Sequence, residues 1–208
     1  TVWVATGFVP PILDTLAQIF TVTANETDVT PADNQDLAFL IMTEDTWAHD
    51  YETEDYFAQG YESTDAIASQ GFEMGASYFC QTSGGTIYAV DFALGSATTA
   101  QTVTVNIYEN SLLTGLVSST LYDLLPGDLS VTAVNFISVN LDVPVPMIGG
   151  NTYTATIAIE SGDDAFILGN NVDDGDAGQA LYSAADDTWY NWVGLSTTMR
   201  LRVSSVVG

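Results

Sequence analysis

Lysine is missing from this sequence, and arginine occurs only at Arg200 and Arg202. Against these two cations stand 27 Asp and Glu residues, which give a formal net charge of -25 at pH 7. Nucleic acids and anionic membrane surfaces are therefore excluded as partners, because both are bound by clustered Lys and Arg. Salt or bound cations must offset the repulsion between the carboxylates. We expect a protein of the cell surface or the extracellular medium.

Cysteine and histidine are also scarce, with one of each at Cys80 and His49. A single cysteine excludes an internal disulfide, and the surrounding run GASYFCQT predicts a small buried side chain rather than a reactive thiol. His49 lies in an acidic stretch without a nucleophile pattern, so neither a catalytic triad nor a histidine-rich zinc site is expected. The many carboxylates single out no catalytic pair. We expect no enzymatic activity and no organic cofactor.

Long apolar runs are lacking too, since no stretch of about 18 apolar residues could span a bilayer. Apolar residues instead alternate with polar ones: in QTVTVNIYEN, residues 101–110, Val103, Val105 and Ile107 share one face. This pattern is typical of a half-buried antiparallel strand. Turn sequences such as LPGD and IGGN separate similar runs at residues 85–94, 131–141, 151–160, 165–169, 187–193 and 198–206. The sequence predicts an all-β, antiparallel, jelly-roll-like sandwich.

Two short segments are compatible with helices, PPILDTLAQIF at residues 10–20 and LYDLLPGDL at residues 121–129. Residues 42–65 are rich in acidic and aromatic side chains without steady periodicity, which predicts a connection lying on the surface. We therefore place the sandwich domain at residues 65–208 and an additional N-terminal portion at residues 1–64.

The first twenty residues contain a single charged side chain, Asp14, and are poorly explained as a solvated tail. An apolar segment of this kind can add a strand to the exposed sheet edge of a neighbouring molecule. It can equally pack on its own domain. The first alternative predicts self-association, or contact with other cell-surface proteins, through Val2, Trp3, Val4, Phe8 and Val9.

The stretch NNVDDGDAG, residues 170–178, is rich in side chains with oxygen ligands. Calcium takes six to eight oxygens, and a turn of Asp, Asn and Gly can supply several of them. The spacing differs from the helix-loop-helix calcium pattern. An exposed hairpin turn without metal is the alternative, and calcium is the one cofactor that the sequence predicts. Its candidate ligands are Asn171, Asp173, Asp174 and Asp176.

Aromatic residues cluster in DTWYNW, where Trp189 and Tyr190 should face opposite sides of a strand and Trp192 should share the face of Tyr190. Exposed rings on a sandwich can stack on sugars, whereas buried ones complete a core or cover an edge. A second aromatic group, suited to an interface or a ligand, comprises Tyr51, Tyr56, Phe57 and Tyr61.

Six segments resemble a β-sandwich module of large secreted, cell-surface proteins of Bacteroidetes, of the kind exported by the type IX secretion system. They are GFEMGASYF (71–79), TIYAVDFAL (86–94), TVTVNIYEN (102–110), PVPMIGGNTYTATIAI (144–159), ALYSAADDTWYNW (180–192) and MRLRV (199–203). The resemblance extends over about residues 65–208 and implies an extracellular sandwich.

Two functions remain. We expect a non-catalytic structural or adhesive protein, a subunit or module of a cell-surface assembly such as a filament, a sheath or an adhesin stalk. The alternative is a carbohydrate-binding module that uses the Trp189, Tyr190 and Trp192 hairpin together with the Asp-rich loop, with polysaccharide as its partner.

Overall fold

The computed structural model describes residues 14–21, 35–42, 46–48, 56–80, 85–130, 134–170, 179–191 and 196–205. Within these ranges the chain forms β-strands joined by turns, without a helix. The strands are β1 (Asp14–Thr21), β2 (Gln35–Met42), β3 (Thr46–Ala48), β4 (Tyr56–Tyr61), β5 (Phe72–Phe79), β6 (Gly85–Phe92), β7 (Leu94–Gly95), β8 (Thr102–Glu109), β9 (Leu116–Asp123), β10 (Leu129–Ser130), β11 (Ile137–Pro146), β12 (Thr152–Ile159), β13 (Ala165–Asn170), β14 (Gln179–Ser183), β15 (Thr188–Asn191), β16 (Ser196–Thr197) and β17 (Arg200–Ser205).

The strands form three hydrogen-bonded sheets. Sheet A has the order β1-β2-β3-β17-β6-β11, and sheet C has the order β15-β14-β5-β12-β8-β9. Sheet B, of order β10-β7-β13-β16, also takes β4, which pairs with β13. Every pairing in sheets A and C is antiparallel. The predicted all-β sandwich is confirmed.

Period-two alternation explains which face of sheet C is buried. On β5, Phe72, Met74, Ala76 and Tyr78 point inward and are at most 2% exposed. Inward side chains of β8 and β12 join them, and so do those of β6, β11 and β17 from sheet A, in one core cluster. Such burial supplies about 1.5–3 kcal/mol for each large apolar side chain and is the main stabilising term in a chain with two basic residues.

Sheets A and C are joined along β9 and β11. The register of β11 against β6 shifts between Asn140 and Val145, which turns this part of β11 towards β9. The Ser118 hydroxyl donates to the Val143 carbonyl at 2.9 Å, and the Asp142 amide donates to the Thr120 hydroxyl oxygen at 2.9 Å. Because these hydroxyls satisfy backbone groups of β11, the contact protects strand edges that would otherwise invite pairing.

Neither of the two segments that are compatible with a helix forms one in its described residues. Residues 14–20 of the first segment belong to β1, which extends to Thr21 and pairs with β2 through eight consecutive residue pairs. An isolated helix shorter than about 12–15 residues is marginal in water, so a continuous ladder is preferred. In the second, β9 continues to Asp123, and the Asp128 carboxylate then accepts from the Leu125 amide at 2.8 Å and from the Tyr122 hydroxyl at 3.0 Å. This side chain stabilises a turn in place of a helix.

The surface connection predicted for residues 42–65 is partly wrong, because it contains two strands of the sheets. β3 pairs with β17, and β4 pairs along its whole length with β13. Strand pairing therefore crosses residue 64, where the sequence places a domain boundary, and that boundary stays a prediction. Cys80 is fully buried, as expected of a small apolar side chain.

Candidate ligand-binding face

The outer face of sheet C carries side chains that the core does not use. On β5, Glu73, Gly75 and Ser77 alternate with the core residues and point away from them. The facing strands continue this surface, since Gly75 lies opposite Thr156 of β12 and Ala180 of β14, and Glu73 lies opposite Tyr182. Hydroxyl, amide, carboxyl and aromatic groups thus meet on one sheet face.

Glu73 is the centre of this surface. Its Oε2 accepts from the Thr156 hydroxyl at 2.6 Å and from the Asn106 amide at 3.2 Å. The Tyr108 hydroxyl is 3.1 Å from both carboxylate oxygens. These donors come from β12 and β8, so one carboxylate links three strands of the sheet. Burial, followed by the charge of Glu73 and the hydrogen bond to it, raises the pKa of Tyr108 above its ordinary value, and the phenol stays a donor.

Trp189 packs between two tyrosines on the same face. Its ring centroid is 5.5 Å from that of Tyr108, edge to face, and 5.1 Å from that of Tyr182. Tyr108 lies on β8 and Trp189 on β15, four strand spacings apart, which is about 19 Å across a flat sheet. Their rings meet only because the sheet curves with this face concave. Glu73, Asn106, Tyr108, Thr156, Tyr182 and Trp189 are together called the Glu73 cluster below.

Gly75 lies on β5 between Glu73 and Ser77, where β5 and β12 approach each other closely. A Cβ atom at this position would lie 1.9 Å from the Ala155 carbonyl oxygen and 2.7 Å from the Cα atom of Thr156. Contacts of that length are impossible without displacing β12. Glycine is therefore required by the close approach of β5 and β12 beneath the cluster.

The hairpin of β14 and β15 orients the exposed part of the cluster. Asp187 adopts a φ of 53° at its turn, and the Tyr182 hydroxyl donates to the Asp187 carboxylate at 2.8 Å. This hydrogen bond, with burial and the charges of nearby carboxylates, raises the pKa of Tyr182 above its ordinary value. On the opposite face of β15, Tyr190 is 40% exposed and donates to the Asp186 carboxylate. Glu73, Tyr182 and Trp189 remain half-buried, so a ligand can reach them.

Of the residues predicted to bind a ligand, Trp189 joins the Glu73 cluster and Tyr190 lies on the other side of its strand. Trp192 lies outside the described residues. So do the candidate calcium ligands Asn171, Asp173, Asp174 and Asp176, the candidate assembly residues Val2, Trp3, Val4, Phe8 and Val9, and also His49 and Tyr51.

Two members of the second aromatic group, both on β4, have different surroundings. Tyr61 packs edge to face on the core residue Phe72, with 5.7 Å between the ring centroids, whereas Phe57 is 39% exposed.

Sequence reasoning missed Glu73, Asn106, Tyr108 and Tyr182. Alternation along β5 predicts that Glu73 faces outward. Its hydrogen-bond partners cannot be predicted in this way, because they lie on β8 and β12 and reach Glu73 only through the order of the strands in the sheet.

Another concavity lies between the start of β8 and the turn after β9. It measures about 490 Å³ and is lined by threonines, leucines and Asp123. Its Thr98 and Thr99 hydroxyls already accept from the backbone amides of Phe166 and Asp164. These two hydroxyls therefore serve the fold, whereas Glu73, Tyr182 and Trp189 are partly accessible to solvent.

The described part of the chain supports neither a metal site nor a membrane-spanning helix. No group of three or more His, Cys, Asp or Glu residues there is placed to hold a metal ion. None of its elements is a helix long and apolar enough to cross a membrane.

No protein-family model matches this sequence, and no curated protein matches it either. The resemblance to secreted Bacteroidetes modules therefore stays a prediction.

Proposed function

We propose that this chain is a non-catalytic adhesive module of the cell surface or extracellular medium, and that the outer face of sheet C binds carbohydrate. The observation that carries the proposal is the contact of Trp189 with Tyr108 and Tyr182 beside the Glu73 carboxylate on the outer face of sheet C. Aromatic rings stack on the apolar faces of sugar rings, and fixed polar groups orient the sugar hydroxyls.

The proposal assigns no catalytic residue. Glycoside hydrolysis requires two carboxyl groups facing one glycosidic bond, whereas the Glu73 cluster is built around one carboxylate. Three protein donors already hold Glu73 in place. Such a group recognises a ligand by accepting a hydrogen bond.

A pair of variants on one hairpin tests the proposal. Trp189→Ala should weaken binding to soluble polysaccharides at least about tenfold, because it removes the stacking surface. The binding is measured by affinity electrophoresis and titration calorimetry. Tyr190→Ala is the matched control, since Tyr190 lies on the opposite face of β15. If the control loses binding and Trp189→Ala keeps it, the ligand lies on the other face and the proposed site is wrong.

A second candidate function is that of a self-associating structural subunit, as the apolar N-terminal segment predicts. The observation that favours it is the exposure of apolar side chains on β9, an end strand of sheet C: Leu116 is 52% exposed and Leu121 is 65% exposed. Apolar surface of this kind often marks a protein interface. We propose a second copy of this chain as its occupant.

Light scattering and electron microscopy at the native salt concentration test the second function. Leu121→Glu should convert assemblies into monomers, because it places a charge in the apolar contact. Ser161→Glu, at an exposed polar position of the turn after β12, is the control. A wild-type protein that is monomeric at every salt concentration would remove this candidate and leave the binding module.

A further inference from the structure

We propose that the Glu73 cluster selects glycans that carry a protonated amine, such as glucosamine units, over neutral and acidic glycans. The inference rests on the proposed carbohydrate-binding function and names the class of sugar. It follows from where the two cations of the chain lie, from the open side of Glu73, and from the rings beside it.

The charge of sheet C is not compensated by basic side chains. Arg200 and Arg202 are the only Lys or Arg residues in the sequence, and both lie on β17 of sheet A. Arg202 contacts Asp91 at 3.8 Å, and the Arg200 guanidinium lies 4.0 Å from the centre of the Phe136 ring. No lysine or arginine is therefore left to neutralise Glu73. A ligand that brings a positive charge fills this role, whereas uronate or sulfated sugars are repelled.

The two oxygens of Glu73 differ in what they can still accept. Oε2 accepts from Thr156 and Asn106, and the Tyr108 hydroxyl is 3.1 Å from each oxygen. Among the described residues, Tyr108 is the one hydrogen-bond partner of Oε1. An ionised carboxylate offers about four acceptor positions, so Oε1 keeps a free one. An ammonium donor fits this position better than a hydroxyl, because hydrogen bonds between charged groups are the stronger ones.

The rings beside Glu73 favour the same ligand. Trp189 and Tyr182 are half-buried and contact each other, and Tyr182 lies opposite Glu73 on the neighbouring strand. A cation within about 6 Å of a ring centroid is attracted to its face, most strongly for tryptophan. A sugar that stacks on Trp189 can direct an amine towards Oε1 of Glu73. Stacking and charge then act on neighbouring atoms of one sugar residue.

Three oligosaccharides of equal length and linkage test the inference: a cello-oligosaccharide, a chitin oligosaccharide, and the corresponding fully deacetylated glucosamine oligosaccharide. Their binding to the intact chain is measured by titration calorimetry at low salt, at a pH where the amine is protonated. We expect the glucosamine oligosaccharide to bind about tenfold more tightly than the other two, as for one charge-assisted hydrogen bond. High salt should reduce the preference, and re-acetylation of the same oligosaccharide should abolish it.

Two variants assign the preference to Glu73. Glu73→Gln should equalise the three affinities, whereas Asp142→Asn, which removes an exposed charge on β11 of sheet A, should leave the preference intact. If Glu73→Gln unfolds, re-acetylation still tests the charge from the ligand side.

The outcomes separate the two proposals. Equal affinity of the wild-type chain for all three sugars overturns the amine preference and leaves the carbohydrate-binding function standing. Binding of none of these or of other polysaccharides overturns both.

Discussion

The Tyr108 hydroxyl on β8 donates to the Glu73 carboxylate on β5 at 3.1 Å, across the intervening strand β12. The two residues are 35 positions apart in the sequence. Their contact, together with the bonds of Thr156 and Asn106 to the same carboxylate, joins three strands on the outer face. The proposed ligand site and a support for the sheet are thus the same group of atoms.

Alkaline pH should destabilise the protein, and Tyr108 should account for part of the loss. Burial and the nearby Glu73 raise the pKa of Tyr108 above the ordinary value of 10.0, so the folded state holds this proton more tightly than the unfolded state. The stabilising contribution is complete below pH 10 and declines as the pH rises further, because unfolded tyrosine then loses its proton. Thermal unfolding followed on both sides of pH 10 measures the decline.

Tyr108→Phe is the matched variant for this prediction. It should be less stable than wild type near neutral pH, by about 1 kcal/mol for the lost hydrogen bond. It should also lose less stability than wild type at alkaline pH. If the stability of the variant falls with pH above 10 as steeply as that of wild type, Tyr108 does not contribute to the alkaline loss. Buried Tyr153 and partly buried Tyr61 also have raised pKa values and would then account for the slope.

Gly75→Ala should destabilise the sheet by about 2 kcal/mol or more, since the added methyl group collides with the backbone of β12. Gly127→Ala is the control, because nothing lies within 4 Å of a Cβ atom at that position. It should change the free energy of unfolding by less than about 0.5 kcal/mol. Urea denaturation of both variants provides the comparison. Similar values for the two would contradict the close approach of β5 and β12.

The sequence predicts the strands well because burial alternates along them. Val103, Val105 and Ile107 are all buried, as the pattern of β8 indicates. It fails at residues 14–21, where short-range cues are compatible with a helix and a distant partner, β2, completes a strand ladder. Within the candidate site it identifies Trp189 by its ring. It does not identify Glu73, which is one acid among 27 acidic residues until strand order brings Asn106, Tyr108 and Thr156 to it.

Arg202→Gln should cost about 1–3 kcal/mol of stability. Its guanidinium contacts Asp91 at 3.8 Å and donates to the Thr46 hydroxyl at 3.0 Å, which links β3, β6 and β17. The other Asp91 oxygen, Oδ1, is buried and has no hydrogen-bond partner in the described part of the chain. Losing Arg202 therefore leaves a poorly compensated carboxylate in sheet A.

Asp91→Asn distinguishes charge from packing in this prediction. In the Arg202→Gln background it should recover part of the lost stability, because it removes the unpaired charge. A double-mutant cycle, measured by chemical denaturation, gives the coupling energy. Simple addition of the two single effects would contradict a direct interaction.

Calcium binding by the Asp-rich loop, which lies outside the described residues, is a prediction from sequence alone. Chelation should lower the melting temperature by several degrees at low salt, because a ligand bound by the native state alone stabilises that state. The double variant Asp173→Asn with Asp174→Asn should lose this response. Glu160→Gln with Asp142→Asn removes the same two charges at other exposed positions and should keep it. Screening acts on all 27 carboxylates alike and responds to sodium as well. A specific calcium site would be rejected if sodium restored the melting temperature as well as calcium does. It would also be rejected if the control variant lost the response to chelation to the same extent. The loop would then be an exposed turn without metal.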